Sequence, residues 1–295
     1  MLRFLSRLPL PLLHLLGAAL GWVAFLASAS YRRRFLANAR QAGLPFGAVR
    51  GAVAHAGRMV AELPHLWFGT PPAWQWDDGG CIAQAYAAGR GILFLTPHLG
   101  GFEASPQALA ADYGPRHGSM TILYRPARQP WLARTMAAAR DRPHLAAVPT
   151  TLAGVRQMLR ALKRGEAVGL LPDQVPPAGL GRWSPFFGRE AYTMTLAARL
   201  AQQSGATVLL AWSERLPRGR GFRVHVEARL APLPAALDDA VDALNADMER
   251  LIRQCPQQYL WGYARYKAPR GEAATATAAA AATDTTTATT GKGAA

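Results

Sequence analysis

Cysteine is nearly missing from this chain: 295 residues contain two, Cys81 and Cys255. Neither belongs to a Cys-x-x-Cys pair, and no Cys/His cluster has zinc-like spacing, so no metal site is expected. Two cysteines allow one disulfide at most, and reduced thiols in the cytoplasm are the simpler reading. Acidic residues are scarce too. Eighteen Asp plus Glu face 33 Lys plus Arg, a formal net charge of +15. Such an excess favours anionic partners. Nucleic acid, anionic lipid head groups and an acidic carrier protein all satisfy it, but no basic–aromatic platform or nucleic-acid motif accompanies the charge, and nucleic acid is not expected as a partner. Three catalytic signatures are also absent. No Gly-x-Ser-x-Gly elbow occurs, which disfavours a serine hydrolase. There is no P-loop, and no Gly-x-Gly-x-x-Gly follows a strand. From Gly271 onward there is no large apolar residue, and 271–295 read as a disordered Ala/Thr-rich tail.

Formal charge is likewise absent from Leu8 to Ser28, where His14 is the only ionisable side chain. A membrane-spanning helix needs roughly 20 apolar residues. Arg3 and Arg7 precede the run, and Arg32, Arg33, Arg34 and Arg40 follow it. The stronger positive side is C-terminal, which places the main domain in the cytoplasm. Ala27-Ser28-Ala29 resembles a signal-peptide cleavage site, but such peptides have a shorter apolar core of roughly 7–15 residues. A helix lying in the membrane interface is a third reading, helped by Pro9 and Pro11. Residues 1–30 are therefore expected to form a membrane anchor, single-pass or monotopic, with membrane lipids as its partners. Residues 31–270 are expected to form the folded domain.

Half of the residues are hydrophobic, enough for a sizeable core. Residues 31–68 read as mostly helical, interrupted or ended at Pro64 and Pro71. Trp67, Phe68, Trp74 and Trp76 form an aromatic stretch that fits either core packing or an interfacial belt. Ile92–Thr96 is an apolar run between glycine and proline, which reads as a buried strand. A helix over Ala104–Ala111 tolerates Pro106 only in its first turn. Ser119–Tyr124 reads as a strand, 131–140 as a helix, and Leu152–Arg164 as an amphipathic helix stopped at Gly165. Ala167–Leu171 is another strand, followed by a loop to about Gly188. Thr193–Gln203 reads as a helix, Thr207–Trp212 and Gly221–Glu227 as strands, and Ala240–Arg253 as a helix capped by Asp238 or Asp239. Strands alternating with helices imply an α/β domain around a central sheet.

Three polar groups stand at predicted strand ends, where open α/β sheets build their sites. The first is Thr96-Pro97-His98-Leu99-Gly100-Gly101-Phe102-Glu103. In a regular helix, His98 and Glu103 would stand about 140° apart. The two glycines permit a turn that brings Glu103 back to one imidazole nitrogen, leaving the other to take a proton. That is a base and its orienter without a protein nucleophile, so the nucleophile would be a substrate hydroxyl. The second group is Leu123-Tyr-Arg125-Pro126, whose arginine suits a phosphate or carboxylate. The third is Leu170-Leu-Pro-Asp173-Gln174. Each has a plain structural alternative: a first-turn glutamate, a surface arginine, a polar turn. Convergence of the three on one cleft is the stronger argument.

These residues resemble a known family. His98-x4-Glu103 looks like the His-x4-Asp/Glu motif of glycerolipid acyltransferases. The wider pattern is similar to the bacterial lipid A late acyltransferases of the lauroyl/myristoyl type. It runs through Tyr124-Arg-Pro126, Leu162-Lys-Arg-Gly-Glu166, Pro172-Asp-Gln174, Pro185-Phe-Phe-Gly188, Thr193 and Gly205-Ala206. It ends at Pro256-Gln-Gln-Tyr259-Leu-Trp261 with Arg265 and Lys267. The resemblance covers roughly residues 1–270 and implies a central mixed sheet flanked by helices. It implies an acyltransferase domain over 31–270 at the inner membrane, an acyl carrier protein thioester as donor and a lipid A precursor as acceptor, with no cofactor. By this likeness His98 is the general base and Glu103 its partner, while Arg125, Asp173 and Gln174 contact substrate. Backbone amides near Gly100 and Gly101, or Arg125, are the candidate oxyanion donors. The alternatives are another membrane glycolipid or phospholipid as acceptor, or an inactive lipid-binding homologue. Coenzyme A stays open as donor.

Overall fold

A computed structural model of the chain describes residues 2–124 and 142–269, with positions 129, 131, 135, 136 and 139 between them. The predicted helix 131–140 and the tail 271–295 thus fall largely or wholly outside the described residues. The core is a seven-stranded sheet in the order β1-β9-β8-β2-β5-β3-β4. Its strands are β1 (Trp74–Asp77), β2 (Ile92–Leu95), β3 (Met120–Tyr124), β4 (Leu145–Pro149), β5 (Ala167–Leu170), β8 (Thr207–Arg215) and β9 (Phe222–Ala228). All neighbours run parallel except β8 and β9, so the sheet is mixed and the fold is α/β. A separate antiparallel hairpin pairs β6 (Gly181–Phe186) with β7 (Arg189–Met194).

The central strands are buried throughout because helices cover both faces. In β2, Leu93 and Leu95 join Met158, Leu162, Ala197, Leu244 and Met248 on one side. These come from helices Leu152–Lys163, Leu196–Ser204 and Leu237–Gln254. Ile92 and Phe94 face the other layer, with Ile82, Ala108 and Leu109 from helices Cys81–Ala87 and Ser105–Asp112. The period-two alternation of a strand thus divides one apolar run between two cores. Pro106 falls in the first turn of its helix, where its missing N–H costs nothing. Thr151 caps Leu152–Lys163 by accepting from the Gly154 amide at 3.3 Å.

Several sequence readings need correction. The stretch expected to be a loop up to Gly188 contains β6, and Thr193, expected to open a helix, lies in β7. Strands β1 and β4 were not anticipated. Pro64 sits inside the continuous helix Gly51–Phe68. Asp238 and Asp239 lie in the first turn of Leu237–Gln254, after the uncapped Ala236. There they face the positive end of the helix dipole instead of capping it. Trp74 and Trp76 belong to β1, and both indole N–H groups donate to Asp112 Oδ2, at 2.8 and 2.7 Å. Both are partly buried and pack against the core that holds Ile82 and Val224.

Among the described residues, one helix, Leu10–Ala27, is long and apolar enough to cross a membrane. It packs along Gly51–Phe68 through bare backbone. A Cβ on Gly57 would stand 1.9 Å from the Gly17 carbonyl oxygen, so only glycine fits that crossing. His14, Gly17, Gly21 and Phe25 are buried on this side. Leu15, Leu20, Val23 and Leu26 are exposed on the other.

Candidate active site

Strand pairing sets the site. β2 and β5 are parallel neighbours with Leu95 opposite Leu170. Each chain then runs three residues beyond its last paired position, to His98 and to Asp173. Equal extensions from one register bring the two side chains together at the carboxyl edge of the sheet. His98 Nδ1 lies 2.6 Å from Asp173 Oδ1, and the His98 backbone N–H donates to Asp173 Oδ2 at 2.9 Å. Both carboxylate oxygens therefore grip the same residue, ring and main chain.

Asp173 is almost fully buried. Burial alone pushes its carboxyl up, but the charge and hydrogen bonds of His98 outweigh that and hold it below the ordinary 3.8. Burial, followed by the Asp173 charge, pushes the Tyr259 phenol well above its usual value. An ionised carboxylate only accepts, so the ring proton sits on Nδ1 and Nε2 keeps its lone pair. The side-chain amide of Gln174 lies 2.9 Å from Nε2 and, in this tautomer, donates to it. Phe102 packs edge-on against the imidazole, with centroids 4.8 Å apart. The His98 carbonyl accepts from the Leu260 amide at 3.2 Å, so the ring is held from several sides.

Glu103 was expected to reach one imidazole nitrogen, but the carboxylate on the ring is that of Asp173, at Nδ1. The turn at Gly100-Gly101 does form, with Gly100 at φ +62°, but it carries Glu103 toward Trp67. The Trp67 indole N–H donates to Glu103 Oε2 at 3.4 Å. Glu103 nevertheless lines the same cavity as His98. The Gly100 amide donates to the Gln258 carbonyl and the Gly101 amide to the Ser213 carbonyl, at 3.1 and 2.7 Å. Both are spent, and neither can serve an oxyanion as the turn stands. Arg125 and Pro126 lie outside the described residues.

The imidazole lines a cavity of about 1110 Å³, slightly above the usual range of ligand-site volumes, roughly 300–1,000 Å³. Its polar lining includes Thr96, His98, Glu103, Ser105 and Gln174, and its apolar lining includes Phe94, Leu109, Met120, Ile122, Val224 and Trp76. A lining that joins these polar groups to a larger apolar surface suits a molecule with a reactive polar group and a hydrocarbon chain. Among the described residues, no group of three His, Cys, Asp or Glu side chains could hold a metal ion. Both cysteines are free, and burial pushes the Cys255 thiol up to about 12, so it is not a ready nucleophile.

The sequence thus named His98, Asp173 and Gln174, and the fold brings them within hydrogen-bond reach. It assigned the orienting carboxylate to the wrong residue because Glu103 is near in sequence, whereas Asp173 is near only through strand pairing. Tyr259 was noted within a motif but not as a site residue. Its signal was the run Pro256–Trp261, which folds against His98 and Leu99.

Comparison with known proteins identifies the family. The model of the family described as bacterial lipid A biosynthesis acyltransferase matches residues 1–268. The chain is 25% identical over 285 residues to the lipid A biosynthesis palmitoleoyltransferase of Escherichia coli K12, covering 91% of this chain and 89% of that protein. It is 27% identical over 284 residues to the lipid A biosynthesis lauroyltransferase of the same organism, covering 90% and 89%. A lipid A biosynthesis acyltransferase of Haemophilus influenzae is 27% identical over 183 residues, 61% of this chain and 55% of that protein.

Proposed function

This chain belongs to the bacterial lipid A biosynthesis acyltransferase family and is an acyltransferase, and from that premise we propose that it moves a fatty acyl chain from an acyl carrier protein thioester to a hydroxyl of a lipid A precursor. His98 is the general base. The acceptor hydroxyl displaces the Gln174 amide from Nε2 and gives up its proton there, while Asp173 supports the imidazolium that forms. The alkoxide attacks the thioester carbonyl. The C–S bond then breaks, and the imidazolium returns the proton to the leaving thiolate. The acyl chain occupies the apolar part of the cavity. Glu103, on its lining, orients the reacting groups, and Arg125 holds acceptor phosphate. No cofactor takes part.

The observation that carries this reading is the Asp173–His98 pair with Nε2 facing the cavity. The +15 charge supports both an acidic carrier protein and a phosphorylated acceptor as partners. Residues 31–270 form the acyltransferase domain, and 271–295 are a tail outside it. Residues 1–30 anchor the chain to the cytoplasmic face of the inner membrane. The packing of Leu10–Ala27 favours monotopic attachment. A spanning helix would draw its partner, with Arg58 and Glu62, into hydrocarbon, where charge is costly.

The test is mass spectrometry of a lipid A precursor incubated with the purified protein and acyl carrier protein or coenzyme A thioesters. The expected product is the acceptor plus one acyl chain, formed faster with the carrier protein. Absence of transfer to any hydroxylated lipid by well-folded protein would overturn the proposal.

A further inference from the structure

The turn between His98 and Glu103 rests on strand β8. Gly100 lies so close to it that a Cβ would stand 1.8 Å from the Ser213 carbonyl oxygen. The guanidinium of Arg215, at the end of β8, donates from Nη2 to the Gly100 carbonyl at 3.0 Å. The Gln258 side chain clasps the Arg215 backbone on both sides, at 2.9 and 3.1 Å, and the Gln258 carbonyl accepts from the Gly100 amide. Arg215 therefore holds the turn directly and again through Gln258.

Arg215 is itself buried, and a buried guanidinium needs a counter-charge. Glu62 of helix Gly51–Phe68 supplies it in a two-point contact: Nε to Oε2 at 2.7 Å and Nη2 to Oε1 at 2.6 Å. Burial raises the Glu62 carboxyl, but Arg215 and then His14 outweigh it and hold it below its ordinary value. The second donor to Oε2 is His14 Nε2, at 2.8 Å. His14 is the single ionisable residue within the apolar run Leu8–Ser28. A residue of the membrane-anchor helix thus completes the ligation of a carboxylate that fixes an arginine that fixes the catalytic turn. The glycine crossing at Gly17, Gly21 and Gly57 independently keeps the helix at the distance this contact requires.

We infer that the N-terminal helix has a second role besides anchoring: His14, through Glu62, positions Arg215, and Arg215 is a positioning residue for the turn that carries His98. The inference rests on His98 being the base of acyl transfer. Loosening the turn shifts the imidazole against the acceptor and lowers the turnover rate more than substrate binding.

The experiment compares His14→Leu with His14→Gln in the full-length protein in detergent. Leucine keeps the bulk and leaves Glu62 without the donor, whereas glutamine restores an N–H. Misplacement of reacting groups by a fraction of an ångström costs about tenfold in rate. The expected result is that loss in kcat for His14→Leu with KM within about twofold, recovered by His14→Gln. Equal kcat in both variants and wild type would overturn the inference. Hydrogen exchange of the Gly100 and Gly101 amides provides a readout independent of activity, so failure here is distinguishable from failure of the acyltransfer reading. Exchange should quicken in His14→Leu and return in His14→Gln. Unchanged exchange would overturn the coupling. Should His14→Leu not fold, Arg215→Lys takes its place: lysine can pair with Glu62 but cannot also reach the Gly100 carbonyl. A wild-type kcat in that variant would equally overturn the inference.

Discussion

Two histidine–carboxylate pairs in this molecule look alike in distance and differ in surroundings. His98 meets Asp173 at 2.6 Å and His14 meets Glu62 at 2.8 Å, and both carboxylates are nearly dry, 2% and 1% exposed. Asp173 spends both oxygens on one histidine, whose second nitrogen faces the cavity. Glu62 spends both oxygens on Arg215, and His14 adds a further donor between two helices. The first pair leaves a ring nitrogen whose partner is the side-chain amide of Gln174, which an incoming hydroxyl can displace. The second closes its bonds within the protein. A short His–carboxylate distance is therefore not by itself a sign of catalysis; access to the far ring nitrogen is what separates chemistry from scaffolding.

Removing each pair should break different properties. His98→Ala should lower kcat by about 10³-fold while the thermal midpoint stays near wild type, as read by steady-state assay and calorimetry. Glu62→Gln should act chiefly on stability, with kcat falling only by about the tenfold expected of a loosened turn. Removing one partner of a buried ion pair costs about 3–5 kcal/mol, on the order of 10 °C in a domain of this size. If His98→Ala unfolded the protein and Glu62→Gln were silent, the contrast would be wrong.

Acid sharpens the same contrast. His55 contacts both Arg215 and Arg58, at 3.0 Å each. Burial, then Arg215, Arg58 and His14, push its imidazole down from 6.5 to about 2. The unfolded chain thus binds more protons than the folded one across that window, so stability falls as pH drops below about 6.5. Glu62 and Asp173, held below 4.5 and 3.8, lose their contributions only at lower pH. Thermal midpoints should therefore decline from pH 6.5 downward, and His55→Gln should flatten the early part of that decline. An unchanged slope would separate His55 from the network.

The smallest expected effect concerns the cavity. A Cβ on Gly169 would stand 2.6 Å from the Met120 methyl, at the apolar wall. Methionine is flexible and can yield. Gly169→Ala should keep activity within a few-fold and shift preference toward shorter acyl chains, measured by competition between thioesters of different length. An unaltered profile would remove the acyl chain from this part of the cavity.

Much of the fold was legible where apolar runs are bounded by glycine or proline. Ile92–Leu95, Ala167–Leu170 and Leu152–Lys163 are cases in point, because burial and periodicity act locally there. The hairpin was not legible. Gly181-Arg-Trp-Ser-Pro-Phe186 carries a proline and few apolar residues, and its reversal uses Phe187 and Gly188 at φ +48° and +72°, a turn the sequence does not announce. The edge strand Trp74–Asp77 follows two prolines and is only four residues long. In the site, residue types and strand-end positions were visible, but partner choice was not. Local spacing favoured Glu103, and only the register of Leu95 with Leu170 brings Asp173 to the ring. The link from His14 to Gly100 joins four distant segments. Its one trace was an ionisable side chain alone in an apolar helix.

The account turns on Asp173 keeping the proton on Nδ1 so that Nε2 can act as base. Asparagine at this position still accepts from the His98 backbone but presents an N–H to Nδ1, which forces the wrong tautomer. The most direct measurement is the single-turnover rate of acyl transfer by Asp173→Asn under saturating acceptor. The account predicts a fall of at least about 10²-fold with acceptor affinity retained. A rate within about twofold of wild type would contradict it.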